Sequence, residues 1–221
     1  MNFLIEVDTA LLVYINSFHS AFGDFFIPIY TDKLTWLPLY VALVYYIIRR
    51  WGKDAWWIIG AMVVCVGLAD FVSSSILKPL IERPRPSRIP ELEGVLHLVN
   101  GYRSGRYGFV SSHAANTIGL SLLFGLLSRD RLNTVFLFLW AILNCYSRLY
   151  LGVHYPGDIL GGAIVGVLMA LLVYAVLKRF RPSLMSSGKP LSACPVFVRY
   201  LMSAIWLLTV LCVSIWALWQ L

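Results

Sequence analysis

The feature that most constrains this chain is the recurrence of apolar runs about 20 residues long, from "LPLYVALVYYII" at 37–48 to "LMSAIWLLTVLCVSIWALW" at 201–219. A hydrocarbon core about 30 Å thick takes a helix of about 20 residues to cross and offers no water to backbone groups, so such runs fold as spanning helices. Only 13% of the residues are charged and 59% are hydrophobic, whereas soluble domains carry about a quarter charged residues. The expectation is an all-α, polytopic membrane helix bundle forming one integral membrane domain over residues 1–221. Nucleic acid is excluded as a partner although the net charge is +7, because that charge lies in membrane-flanking loops.

About six crossings are expected: Leu34–Ile48, Ala55–Leu77, His113–Leu127, Leu132–Cys145, Ile159–Leu177 and Val196–Leu218. The stretch 1–20 lacks the basic leader and small-residue cleavage site of a signal peptide, so it reads as retained. Its apolar residues Phe3, Leu4, Val7, Leu11, Leu12, Tyr14, Ile15 and Phe18 recur at helical spacing, with Glu6, Asp8 and Asn16 elsewhere on the wheel. That pattern suits an amphipathic helix in the membrane interface. Residues 78–109 are different in kind, rich in proline, glycine and arginine, and read as a structured polar loop over a site. The cysteines Cys65, Cys145, Cys194 and Cys212 are scattered, which indicates neither a disulfide framework nor a zinc site.

Charge orients the bundle. The loops at 49–54, 128–131 and 178–199 hold ten basic residues against two acidic, a net of +8, while the rest of the chain holds eight against nine. Basic loops stay in the cytoplasm. The opposite face, which carries 78–109, "RYGFVSSH" and "SRLYLGVHYPGD", is then expected to look out of it, into a periplasm or its equivalent.

Three polar clusters share that outer face: "KPLIERPRP" at 78–86, "FVSSHAAN" at 109–116 and "SRLYLGVHYPGD" at 147–158. Lys78, Arg85 and Arg148 supply cationic donors suited to a tetrahedral oxyanion. Ser111 and Ser112 add hydroxyls at the opening of a helix, where an anion is favoured. His154 and Asp158 are four residues apart, so on one helical face the carboxylate fixes the imidazole tautomer and frees the other nitrogen to attack. His113 is placed to protonate a leaving oxygen. Arg83, Arg88, Arg103 and Arg106 read as interfacial anchors, Asp70 as the partner of a neighbouring helix or a site lysine, and His19 and His97 as structural residues without a visible partner.

The joint spacing resembles the type 2 phosphatidic acid phosphatase family, which shares its site with the vanadium haloperoxidases and whose motifs read KxxxxxxRP, PSGH and SRxxxxxHxxxD. The first and third are matched in full, from Lys78 to Pro86 and from Ser147 to Asp158. In the second, Val110 stands for the usual proline and Ser112 for the usual glycine, while Ser111 and His113 are kept. The likeness covers roughly 55–177. It implies a lipid phosphatase without cofactor or metal, acting through a phosphohistidine on His154 supported by Asp158, with His113 as general acid and Lys78, Arg85, Arg148 and Ser111 holding the phosphate.

The implied partners are the bilayer and a phosphorylated membrane lipid, best matched by the 1- or 4′-phosphate of lipid A. Undecaprenyl diphosphate and phosphatidylglycerophosphate or phosphatidate are the alternatives. From other classes stand a vanadium-dependent haloperoxidase-like oxidase and a catalytically silent lipid-binding membrane protein.

Overall fold

A computed structural model describes residues 2–221, and among them every regular element is helical. In chain order these are α1 (Asn2–Asn16), α2 (Ala21–Tyr30), α3 (Leu37–Trp51), α4 (Ala55–Asp70), α5 (Lys78–Ile81), α6 (Ser112–Ser128), α7 (Arg131–Tyr150), α8 (Pro156–Phe180), α9 (Leu184–Ser187) and α10 (Val196–Trp219). A π-helical turn, Phe71–Leu77, joins α4 to α5 without a break. Lys78 therefore belongs to the end of a long helix rather than to the loop expected to begin there.

Among the described residues, four helical segments are long and apolar enough to cross a membrane: Leu34–Ile81, Arg131–Tyr150, Pro156–Phe180 and Val196–Trp219. The first is a hairpin. Gly52, at a φ of 55° that favours glycine, ends α3, and Tyr40–Ile47 then face Ile59–Gly67 of α4 across a common groove. α6, of 17 residues, is shorter and packs at the centre of the bundle, mainly against α8 and α7 and also against α4.

The α6–α8 contact rests on glycines. A Cβ on Gly162 would collide with the Ser111 carbonyl oxygen, and one on Gly166 would collide with the Ala115 carbonyl and lie 2.9 Å from the Gly119 nitrogen. Small residues spaced by four let membrane helices approach backbone to backbone. The close approach brings the start of α6 against the start of α8, where the Ser111 N–H donates to the Asp158 carbonyl at 2.9 Å.

α1 and α2 meet at 110°, so they form no single straight crossing. At about 1.5 Å per residue, the 15 residues of α1 fall short of a hydrocarbon core about 30 Å thick. Its polarity also runs opposite to that of a helix lying on a soluble protein. Phe3, Leu4, Leu11, Tyr14 and Phe18 are exposed, while Leu12 and Asn16 are buried and Asp8 faces the protein. Asp8 and Asn16 turn inward onto the bundle, while Glu6 stays exposed. Asn16 donates to the Tyr150 carbonyl at 2.7 Å and accepts from the His97 N–H at 2.7 Å.

The two ends of the bundle are polar in different ways. At the basic end, Arg50 donates to the Tyr46 hydroxyl at 2.6 Å, which donates to Asp130 at 2.7 Å, and Asp130 accepts from Asn133 at 2.8 Å. Arg50 and Asp130, counted in the sequence as loop charges, are buried and tie α3 to α7. At the other end, residues 82–111 fold as a cap of short 3₁₀ turns. His97 pairs with Asp24 of α2 at 2.9 Å, and Asp24 also accepts from the Tyr150 hydroxyl at 2.7 Å.

Candidate active site

α7 runs on to Tyr150, five residues beyond its expected end, which leaves Arg148 in its last turn. The chain turns through 151–155, and α8 opens at Pro156 rather than Ile159. Proline suits the first position of a helix, where its missing N–H is not needed. Asp158 caps this start by accepting the Tyr155 N–H at 3.0 Å. Cap and site are one carboxylate.

The same Oδ2 of Asp158 lies 3.1 Å from His154 Nδ1, and the other ring nitrogen, Nε2, lies 3.1 Å from Arg85 Nη1. A guanidinium only donates, so Nε2 must be the acceptor and Nδ1 the protonated nitrogen facing the carboxylate. The ring is therefore neutral, with its Nε2 lone pair directed at Arg85. Burial is the largest cause pulling the pKa of His154 down from 6.5 to about 4, opposed by its bond to Asp158 and reinforced by Arg85. Both His154 and Asp158 are almost wholly buried.

Arg85 is fixed by the Tyr107 carbonyl at 3.0 Å and the Val153 carbonyl at 3.2 Å. Arg148, also buried, donates to the hydroxyls of Ser147 and Thr31. Lys78 Nζ donates to Ser112 Oγ at 2.5 Å, and Ser112 Oγ lies 2.9 Å from Ser74 Oγ. The serine at the family's usual glycine position thus holds the lysine. Ser111 is the N-cap of α6, its Oγ accepting from the Ala114 N–H at 3.5 Å. His113, half-buried in the first turn of α6, lines two cavities that share Thr31, Lys33 and His113 among their lining residues.

One cavity, about 730 Å³, is a mainly apolar groove between α3, α4, α6 and α7 that reaches Lys78, Arg85, Ser112, His113 and His154 at one end. The other, about 640 Å³, is lined by Asp32, Lys33, Asn100, Tyr102, His113 and Arg148 together with apolar residues of α2 and the cap. All eight residues singled out in the sequence therefore gather at one end of the bundle. Among the described residues, no group of three or more His, Cys, Asp or Glu side chains is arranged to hold a metal ion.

The sequence profile of the PAP2 superfamily matches residues 54–182. The chain belongs to this family. It is 39% identical over 189 residues to a lipid A 4′-phosphatase of Bacteroides thetaiotaomicron, covering 84% of each chain. It is 34% identical over 177 residues to a lipid A 4′-phosphatase of Porphyromonas gingivalis, covering 80% of this chain and 75% of the relative. More distantly, it is 26% identical over 118 residues to an undecaprenyl-diphosphatase of Bacillus subtilis, covering 52% and 56%. No solved structure matches the chain significantly.

Two contacts at this site carry no signal in the sequence. Arg83, read there as an interfacial anchor, instead donates to Asp158 Oδ1 at 3.1 Å and to Asp8 at 2.7 Å. Thr31, between α2 and α3, reaches Arg148. Neither pairing has a sequence spacing that announces it, although Arg83 sits within the first motif. Asp70 does pair with a neighbouring helix, accepting from Asn116 of α6 at 3.2 Å. Arg88 holds cap carbonyls, and Arg103 pairs with Glu93 at 2.6 Å on the exposed surface.

Proposed function

We propose that this PAP2 enzyme is a lipid A 4′-phosphatase, embedded in the bacterial inner membrane with its site facing the periplasm. The observation that carries the reading is the apolar groove ending at the cationic cluster. A lipid phosphate offers that combination, acyl chains for the groove and a phosphate for Lys78, Arg85 and Arg148. The two relatives named as lipid A 4′-phosphatases, each matched over most of its length, direct the choice among lipids. The charge asymmetry supports the outward orientation.

In the proposed reaction the phosphate displaces Arg85 from His154 Nε2, and Arg85 turns its donors to a phosphoryl oxygen. Nε2 then attacks phosphorus in line, the P–O bond to the sugar breaks, and His113 gives its proton to the departing oxygen. Asp158 stabilises the positive charge that develops on the ring. Water next attacks the phosphohistidine, the N–P bond breaks, and His113 takes back a proton. Lys78, Arg85, Arg148 and Ser111 meet the non-bridging oxygens, where stabilisation contributes most in phosphoryl transfer. In this reading the leaving sugar enters the 640 Å³ cavity beside His113, whose Asp32, Asn100 and Tyr102 supply groups for its hydroxyls.

Gly67 tests the groove, because it lines it and a Cβ there meets nothing within 4 Å. Gly67→Leu is expected to raise KM for long-chain lipid phosphates at least tenfold while leaving a short-chain phosphate unaffected. Equal effects on both would refute a groove for the chains.

A further inference from the structure

The N-terminal helix reaches the catalytic turn through a chain of charges. Asp8 of α1 accepts from Arg83 Nη2 at 2.7 Å and from the Gly157 N–H at 2.7 Å, in the first turn of α8. Arg83 Nη1 donates to Asp158 Oδ1 at 3.1 Å, and its guanidinium carbon stands 3.9 Å above the Tyr155 ring. Gly157 permits the approach, since a Cβ there would lie 2.8 Å from Asp8 Oδ2. Oδ1 and Oδ2 of Asp158 are thus divided between Arg83 on one side and His154 with the Tyr155 N–H on the other.

From this arrangement we infer that Asp8 and Arg83 are positioning residues for the reaction, fixing the orientation and the effective charge of the Asp158 carboxylate behind His154. The inference rests on the reading of His154 as nucleophile. Neither residue lines the groove or the second cavity, so neither is placed to touch substrate. An Arg83 without Asp8 would give its whole charge to Asp158 and weaken the carboxylate's pull on the imidazole. An Asp158 without Arg83 would pull harder but lose one of its two anchors. Asp8 balances the arginine, so α1 is a structural part of the site.

Opposite charges make a diagnostic test. The free enzyme needs neutral His154, and the other charged or titratable groups around it are Arg85 of the cap, Arg148 of α7, His113 of α6 and Lys78 of α5. These are the same in every variant compared. Asp8→Asn removes a negative charge and is expected to move the acidic limb of kcat/KM to lower pH. Arg83→Gln removes a positive charge and is expected to move it higher. Each shift should be on the order of 0.5–1 pH unit, the scale of one partly screened charge several ångströms away. The double variant should return toward the parent limb, with kcat reduced about tenfold or more in each single variant and KM within about threefold.

Measurement should use the full chain in detergent with both a lipid phosphate and a short-chain phosphate. Thermal unfolding, together with Asp8→Glu and Arg83→Lys, separates misfolding from repositioning. Folded single variants that shift the limb in the same direction, or not at all, would overturn the inference, as would a loss expressed in KM alone. Conservative variants that fail to recover activity better than Asn or Gln would also overturn it. If the parent instead releases phosphate from the short-chain substrate but not from lipid A, the substrate reading fails while this inference is still tested.

Discussion

Replacing Asp158 by asparagine isolates the carboxylate's charge at nearly constant shape. With its oxygen in place of Oδ2, the amide keeps the bonds now made to the Tyr155 N–H at 3.0 Å and His154 Nδ1 at 3.1 Å. Its NH₂ then faces the Arg83 donor that now sits 3.1 Å from Oδ1. The flipped amide would set donors against both the ring N–H and the backbone N–H, so the first orientation wins. What is lost is Coulombic. Two unit charges about 4 Å apart at an effective dielectric near 20 interact by about 4 kcal/mol. The ring carries less than a full charge in the transition state, so about 3–4 kcal/mol of barrier is expected, a loss in kcat of roughly 10²–10³-fold. Steady-state phosphate release in detergent micelles should show that fall with KM changed less than about threefold, because Asp158 does not face the phosphate. A kcat within tenfold of the parent, or a loss expressed only in KM, would refute the role assigned to Asp158.

Helix packing, acidity and chelation give further tests. Gly162→Leu should drive α6 from α8 at the Ser111 carbonyl and lower stability by about 1–3 kcal/mol, seen as a lower thermal midpoint with activity lost in parallel. His154 is held neutral with a pKa of about 4 against an ordinary 6.5, so between those values the unfolded chain binds more protons. Its contribution is complete above pH 6.5 and is lost as pH falls toward 4, by about 3 kcal/mol. His154→Gln should therefore show a shallower acid loss of thermal stability than the parent. Because lysine and arginine side chains meet the phosphate charge in the proposed reaction, EDTA should leave the rate unchanged. A loss restored by a divalent metal would contradict it.

Much of this architecture was legible because a bilayer leaves a chain few choices. Runs such as Ala55–Leu77 can only be helices there, and the order of runs and loops alone brings Lys78, His113, Arg148 and His154 to one level. The i,i+4 spacing of His154 and Asp158 carried over to a 3.1 Å contact across the start of α8. What stayed hidden was set by packing between distant segments. The Gly162 and Gly166 spacing that lets α6 and α8 touch was present in the sequence and is a recognisable signal. Asp8 and Arg83 gave none, because their pairing spans 75 residues. Arg50 and Asp130 looked like solvated loop charges and proved buried, since no local pattern announces a bond through the Tyr46 hydroxyl.

The decisive measurement for a lipid A 4′-phosphatase is to incubate the purified protein with lipid A bearing both the 1- and 4′-phosphates and locate the lost phosphate by fragmentation mass spectrometry. Release from the 4′ position alone is expected, with no release by a folded His154→Ala variant. The assignment would be contradicted by intact lipid A under conditions where undecaprenyl diphosphate or phosphatidate is hydrolysed, or by undiminished release from the His154→Ala protein.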